Sequence, residues 1–158
     1  FNDSISFGPA LNEAYNVVNE SNNLPAILCE NNVKKWINLI KEQYHNHPQN
    51  GKFNWILSDN EGNHFINYLY FIIVLAEFNA DMNNETFIKN NIFSLYPPAE
   101  KELIYHKKII EKNLSNEKLQ RKYKWLASYH NFFCNNYLPE GDRFLIDSPT
   151  TYNFKIVA

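Results

Sequence analysis

The sequence predicts a mixed α/β (α+β) domain, and three observations carry that prediction. Residues 1–70 alternate short apolar runs with amphipathic helical spacing, as strand and helix do in turn. "FNWILSDNEGNHFINYL" sets two strand-like runs around a glycine-containing connection, which is a hairpin signal. From Pro97 onward the period becomes helical, with apolar residues recurring every three to four positions.

The elements follow in order. Asp3 to Phe7 reads as a strand. Gly8 ends it, and Pro9 suits the first position of a helix, where a missing N–H costs nothing. Leu11, Ala14, Tyr15 and Val18 form the apolar stripe of that helix, and Asn12, Asn16 and Asn19 form a stripe of amides beside it. "LPAILC", Leu24 to Cys29, is short and apolar and reads as a buried strand. Asn31 or Asn32 caps a second helix, with Val33, Trp36, Ile37, Ile40 and Tyr44 on its apolar face. "HNHPQNG" is a loop. Phe53 to Leu57 and Phe65 to Leu69 are the hairpin strands, and the apolar run Phe65 to Phe78 reads as buried core. Asn79 to Asn91 is expected to be irregular. Pro97-Pro98 opens a helix bearing Leu103, Ile110 and Leu114, and Ser115 is placed to cap another bearing Leu119, Tyr123, Leu126 and Tyr129. "YLPEGDR" ends this helical hairpin, and the last residues read as an irregular tail with short strand-like pieces. One sheet is expected to hold Ile5, Phe7, Ala26 to Leu28, Phe53, Trp55, Leu57, Phe65 and Ile66.

Composition narrows the function classes. The chain has 158 residues, 44% of them hydrophobic and 16% aromatic, enough to bury a core. A net charge of -2 and a pI near 6.2 supply no general attraction to phosphate backbones or anionic membranes, so nucleic acid is not the expected partner. The run Phe65 to Phe78 contains Asn67 and Glu77 and is shorter than the roughly 20 residues a membrane span requires. Cys29 and Cys134 are too few for a disulfide scaffold, and a cytoplasmic protein is expected. The opening on Phe rather than Met suggests a processed product or a partial chain.

Single residues give mostly plain readings. His45 and His47 form an H-x-H with no Cys or carboxylate at ligand spacing, so a metal edge there is weakly supported. His106 and His130 fall on helices and read as surface or packing residues. Cys29 reads as a small core residue, and Cys134 has no local activating motif. Lys107, Lys108, Lys112, Lys118, Arg121, Lys122 and Lys124 read as a solvated face of the helical hairpin. The amide stripe, taken alone, reads as drift on the surface of an asparagine-rich chain.

"SFGPALNEAYNVVNES" followed by "LPAILCEN" resembles class III nucleotide cyclases, where a W/F-G step leads into a helix N-x-x-x-R and then a short strand. "FNWILSDNEGNHFINYL" and "KYKWLASYHNFFC" are similar to the hairpin and terminal helix of bacterial stand-alone cyclase-like proteins, a group that includes the pyrimidine cyclases of Pycsar antiphage defence. The resemblance implies the C-terminal half of a ferredoxin-like cyclase sheet in residues 1–70, with 71–158 as a helical extension packed on it. It implies cyclisation of a nucleoside triphosphate, with cyclic CMP or cyclic UMP as product, in a homodimer with interfacial active sites. Asn12 falls on the family's transition-state asparagine, and Asn16 on its arginine. Ile5 falls on the position that often reads the adenine amino group, and Phe7 and Gly8 on the nucleotide-side step. Mg²⁺ or Mn²⁺ is implied, its aspartate ligands expected outside this chain. Asn16 lacks the charge and the fork of an arginine, and "SDNEGN" is acidic where many members place a triphosphate-binding lysine. A non-catalytic cyclase-like module that binds a nucleotide or a protein therefore stands as the alternative.

Overall fold

The computed structural model describes residue 35 and residues 55–80, 84–147 and 152–157. Its chain forms two compact units, one of residues 1–66 and 156–158, the other of residues 67–155.

In the first unit, β1 (Ile56–Asp59) pairs antiparallel with β2 (His64–Ile66), in the register Ile56 with Ile66, Leu57 with Phe65 and Ser58 with His64. Leu57 and Phe65, opposite each other, are fully buried, which fixes the register, because a slip by one residue would exchange the two faces. The connection closes on itself. Asp59 N donates to the Asn63 carbonyl and Gly62 N to the Asp59 carbonyl, with Gly62 at φ 83°, where a side chain would be strained. The Asp59 carboxylate accepts from the backbone N–H groups of Glu61 and Asn63 at 3.0 Å each and from Asn63 Nδ2. The hairpin is therefore present, but its strands are shorter than the pattern predicts. β3 (Phe154–Ile156) completes a sheet of order β2-β1-β3, and beyond its end Val157 N donates to the Ile56 carbonyl at 2.9 Å. Ile5, Phe7, Ala26 to Leu28 and Phe53 lie outside the described residues.

The second unit begins where the second predicted strand fails to continue. Tyr68–Tyr70 is a 3₁₀ turn running into α1 (Phe71–Phe78), whose Ile72, Ile73 and Ala76 are buried. The apolar run is not core throughout, since Phe71 is 52% and Phe78 87% exposed. The asparagine-rich stretch, expected to be irregular, contains α2 (Glu85–Asn90), capped by Asn84, whose Oδ1 accepts from Phe87 N at 3.0 Å. α3 (Ile92–Leu95) follows, and Asn91 Nδ2 donates back to the Phe87 carbonyl.

α4 (Pro98–Asn113) starts at the predicted proline pair and buries Ala99, Leu103 and Ile110 along one stripe. Full burial of a leucine such as Leu103 stabilises the fold by about 1.5–3 kcal/mol. Leu114, expected on that stripe, is the residue that caps the helix. Asn116 rather than Ser115 starts the next element: its Oδ1 accepts from Lys118 N at the head of the 3₁₀ turn Glu117–Leu119, which leads into α5 (Gln120–Tyr137). α5 buries every residue from Trp125 to His130, as well as Phe133, Cys134 and Tyr137. After it, Gly141–Phe144 makes another 3₁₀ turn, so close to α5 that a Cβ on Gly141 would overlap the Cys134 carbonyl. Trp125 stacks on Tyr129 and meets Phe154 edge-on at 5.4 Å between centroids. Among the described residues no helix is long and apolar enough to cross a membrane.

Candidate functional site

The residues that the resemblance puts in catalytic and nucleotide-binding roles, Asn12, Asn16, Ile5, Phe7 and Gly8, lie outside the described residues, as do Cys29, His45 and His47. The described residues bring together a different cluster, drawn from the 3₁₀ turn after β2, from α4 and from α5.

Helical spacing places His106 on the same side of α4 as Leu103 and Ile110, so the ring is directed inward with the core stripe. His130 lies in the enclosed middle of α5 and is fully buried. The rings stack, with centroids 5.1 Å apart and planes at 28°. Their polar atoms form a line. Tyr68 Oη is 2.9 Å from His106 Nε2, His106 Nδ1 is 2.9 Å from His130 Nδ1, and His130 Nε2 is 3.0 Å from the Phe144 carbonyl oxygen.

The carbonyl decides the tautomers. It can only accept, so His130 carries its hydrogen on Nε2 and its Nδ1 is a bare acceptor. His106 must then donate through Nδ1, which leaves its Nε2 to accept from the Tyr68 hydroxyl. One consistent direction runs along the line, with every group neutral.

The surroundings keep it neutral. Burial lowers His106 from its ordinary 6.5 to about 4, with His130 adding to the effect. Burial also lowers His130 to about 4; the bond to the Phe144 carbonyl opposes the shift and the charge of Lys107 reinforces it. Burial raises the Tyr68 hydroxyl and pushes the Cys134 thiol up to about 12, the latter partly offset by Lys107. Cys134 Sγ sits 3.6 Å from His130 Nε2, but that nitrogen bears a hydrogen and cannot take the thiol proton. The thiol stays protonated near neutral pH, so the Cys-His pair is not an activated nucleophile.

Lys107 is a correction to the reading of a solvated basic face. It is half-buried, and its Nζ donates to the Leu145 carbonyl at 2.7 Å with Glu111 3.8 Å away. Lys108, Lys112, Lys118 and Arg121 are exposed, as expected. Of the surface and packing roles left open for the histidines, both take the packing one, and the added finding is that they pack against each other. Sequence reasoning had no route to that pairing, because the rings lie 24 residues apart on separate helices. Tyr129 was expected on the apolar face, but its hydroxyl also donates to Asn67 Oδ1 at 2.7 Å and accepts from Leu69 N at 2.9 Å.

No group of three or more His, Cys, Asp or Glu side chains among the described residues is arranged to hold a metal ion. The cluster is a neutral strut that ties α4 to α5 and to the segment after α5. Comparison with protein-family models, with curated proteins and with solved structures gives no match to this chain.

Proposed function

We propose that this chain forms part of a nucleotide cyclase, which makes a 3′,5′-cyclic nucleotide from a nucleoside triphosphate, with cyclic CMP or cyclic UMP as an antiphage messenger. The observation that carries the reading is "SFGPALNEAYNVVNES" followed by "LPAILCEN", in which Asn12 stands where cyclases place a transition-state donor. The hairpin and terminal-helix stretches, similar to those of bacterial cyclase-like proteins, support it as a set. In this reading the ribose 3′-hydroxyl attacks the α-phosphate and pyrophosphate leaves. Negative charge grows on phosphoryl oxygens, and a fixed amide on a helix stabilises it. In a head-to-tail homodimer Asn12 would act across the interface. The carboxylates that hold Mg²⁺ or Mn²⁺ in cyclases are expected outside this chain, and no side-chain group among the described residues fits either metal.

A second reading, a non-catalytic cyclase-like module, is favoured by a specific observation. The turn where many cyclases place a triphosphate-binding lysine reads "SDNEGN" here, and its Asp59 carboxylate is committed to the backbone of its own turn. Asn16, in place of arginine, points the same way.

The test is formation of cyclic CMP and cyclic UMP by a protein that carries the metal-binding carboxylates together with this chain. Asn12→Ala is expected to lower kcat about 100-fold to 1000-fold, the usual effect of losing one such donor, with an unchanged melting temperature. Asn16→Ala is expected to cost less, since that position carries no charge. Full activity in Asn12→Ala, or loss only through unfolding, would show the amide stripe to be compositional drift, whereas no cyclic product from the wild type would leave the non-catalytic module as the better reading. The chain by itself, given each ribonucleoside triphosphate and Mn²⁺, is expected to yield no cyclic product.

A further inference from the structure

The segment after α5 is fastened to α4 and α5 by hydrogen bonds from three kinds of side chain, and its Arg143 also pairs with Glu100 of α4 at 3.0 Å. His130 donates to the Phe144 carbonyl, Lys107 donates to the Leu145 carbonyl, and Asn131 exchanges two bonds with Ile146, Nδ2 to O at 2.9 Å and N to Oδ1 at 2.8 Å. Within the segment Leu145 N donates to the Asp142 carbonyl at 3.2 Å. Of these three, between roughly pH 4 and 7 the lysine stays charged and the amide stays neutral, and a histidine can change its charge.

Geometry dictates the order in which the pair takes up protons. A first proton enters at His106 Nε2, because the Tyr68 hydroxyl facing it can turn its hydrogen away and accept instead. His106 then still donates through Nδ1 to His130. A second proton has only His130 Nδ1 to go to. There it meets the Nδ1–H of His106 at a separation of 2.9 Å, donor against donor and cation beside cation, with Lys107 adding positive charge. The rings must part, and the His130 ring cannot move without loosening its bond to Phe144.

We propose that the segment from Gly141 to Ile146 is a strap, held down while the His106–His130 pair carries at most one extra proton and released when both rings are charged. The proposal is independent of the cyclase reading. The other groups bearing on the pair are Tyr68 from the 3₁₀ turn, Lys107 and through it Glu111 from α4, and Tyr129 and Cys134 from α5. From the strap comes the Phe144 carbonyl, Arg143 being turned onto Phe93, Phe144, Glu100 and Glu140. Burial raises Tyr68, Tyr129 and Cys134, so none of them changes charge in acid. Glu111 is an exposed partner at 3.8 Å, too weak to govern the strap. Because both rings are lowered from 6.5 to about 4, the attachment is complete above the ordinary histidine range and is lost as pH falls through about 4.

Amide hydrogen exchange of the full chain from neutral pH down to about pH 3, corrected for the intrinsic pH dependence of exchange, tests this. The Leu145 and Ile146 amides are expected to lose protection in acid while those of α5 from Trp125 to Phe133 keep theirs, with a steeper pH dependence than one proton gives. His106→Gln, which keeps a donor toward His130 but does not titrate, is expected to reduce that dependence to a single proton. In parallel, the His106 and His130 ring resonances of the wild type are expected to titrate over the range in which the strap opens. Strap and α5 opening together at every pH would overturn the proposal. So would an unchanged dependence in His106→Gln, or both rings charging while the strap stays closed.

Discussion

α4 and α5 are consecutive helices of 16 and 18 residues, and they are built for different surroundings. α4 buries a single stripe of Ala99, Leu103 and Ile110, while Lys101, Lys108 and Lys112 are exposed. Its outward polar residues are hydrated and require nothing from the fold, whereas His106 and Lys107 on its inner side bond to His130 and to the Leu145 carbonyl. α5 is enclosed on all sides from Trp125 to His130, so polar residues there must be satisfied by protein. Each one is. Ser128 Oγ donates to the Lys124 carbonyl, Tyr129 bonds to Asn67 and Leu69, and His130 bonds to Phe144 and His106. Enclosure turns polarity from a solubility device into a positioning device. The sensitivity of a position to substitution should therefore follow the helix it belongs to more than the residue type.

The largest break should come at the centre of the enclosed helix. Trp125 is fully buried against Tyr129 and Phe154, and Trp125→Ala is expected to destabilise the protein by about 4 kcal/mol, lowering the melting temperature by roughly 10 °C. Chemical denaturation would measure it, and a loss under about 1 kcal/mol would mean that the middle of α5 is not enclosed. A subtler change at the same depth isolates polarity. Tyr129→Phe keeps the ring but withdraws the hydroxyl from Leu69 N and Asn67 Oδ1, at an expected cost of about 2 kcal/mol. A neutral result there would show that these bonds do not fix the start of α1. At the other extreme, Lys112→Ala on the outer face of α4 should change stability by less than about 0.5 kcal/mol, because it alters a hydrated side chain on a good helix former. A large loss at Lys112 would erase the contrast between the two helices.

The same contrast explains what could be read from the sequence. The hairpin and the proline start of α4 were legible, because their signals are local: a glycine connection between apolar runs, and a Pro at the head of helical spacing. The second strand was expected to reach Leu69, yet Asn67 and Leu69 bond to Tyr129, 62 and 60 residues away, and no local pattern records such a partner. α2 had a readable signal, an asparagine cap followed by Glu85 and an apolar residue, but it was lost among so many asparagines. Lys107 was read with its exposed neighbours because a basic run carries no mark of which member will meet a buried carbonyl. The paired histidines were legible as helix residues and not as partners. Asn12 and Asn16, the strongest chemical reading of the sequence, lie outside the described residues, and their roles rest on resemblance.

The bond pair between Asn131 and Ile146 carries a consequence for how the protein ages. The amide gives a hydrogen to the Ile146 carbonyl and takes one from its N–H, so both ends are specified and neither can be exchanged. Slow hydrolysis of the amide to a carboxylate would leave the acceptor end intact and set an oxygen against the Ile146 carbonyl oxygen. The helix resists this, since it keeps the backbone nitrogen of Phe132 from attacking the side-chain carbonyl to form the cyclic intermediate of deamidation. A protein stored warm should accordingly deamidate at exposed loop asparagines such as Asn60 long before Asn131. Peptide mapping that finds Asp at 131 would mark molecules whose α5 had already opened, making this side chain a chemical record of past unfolding.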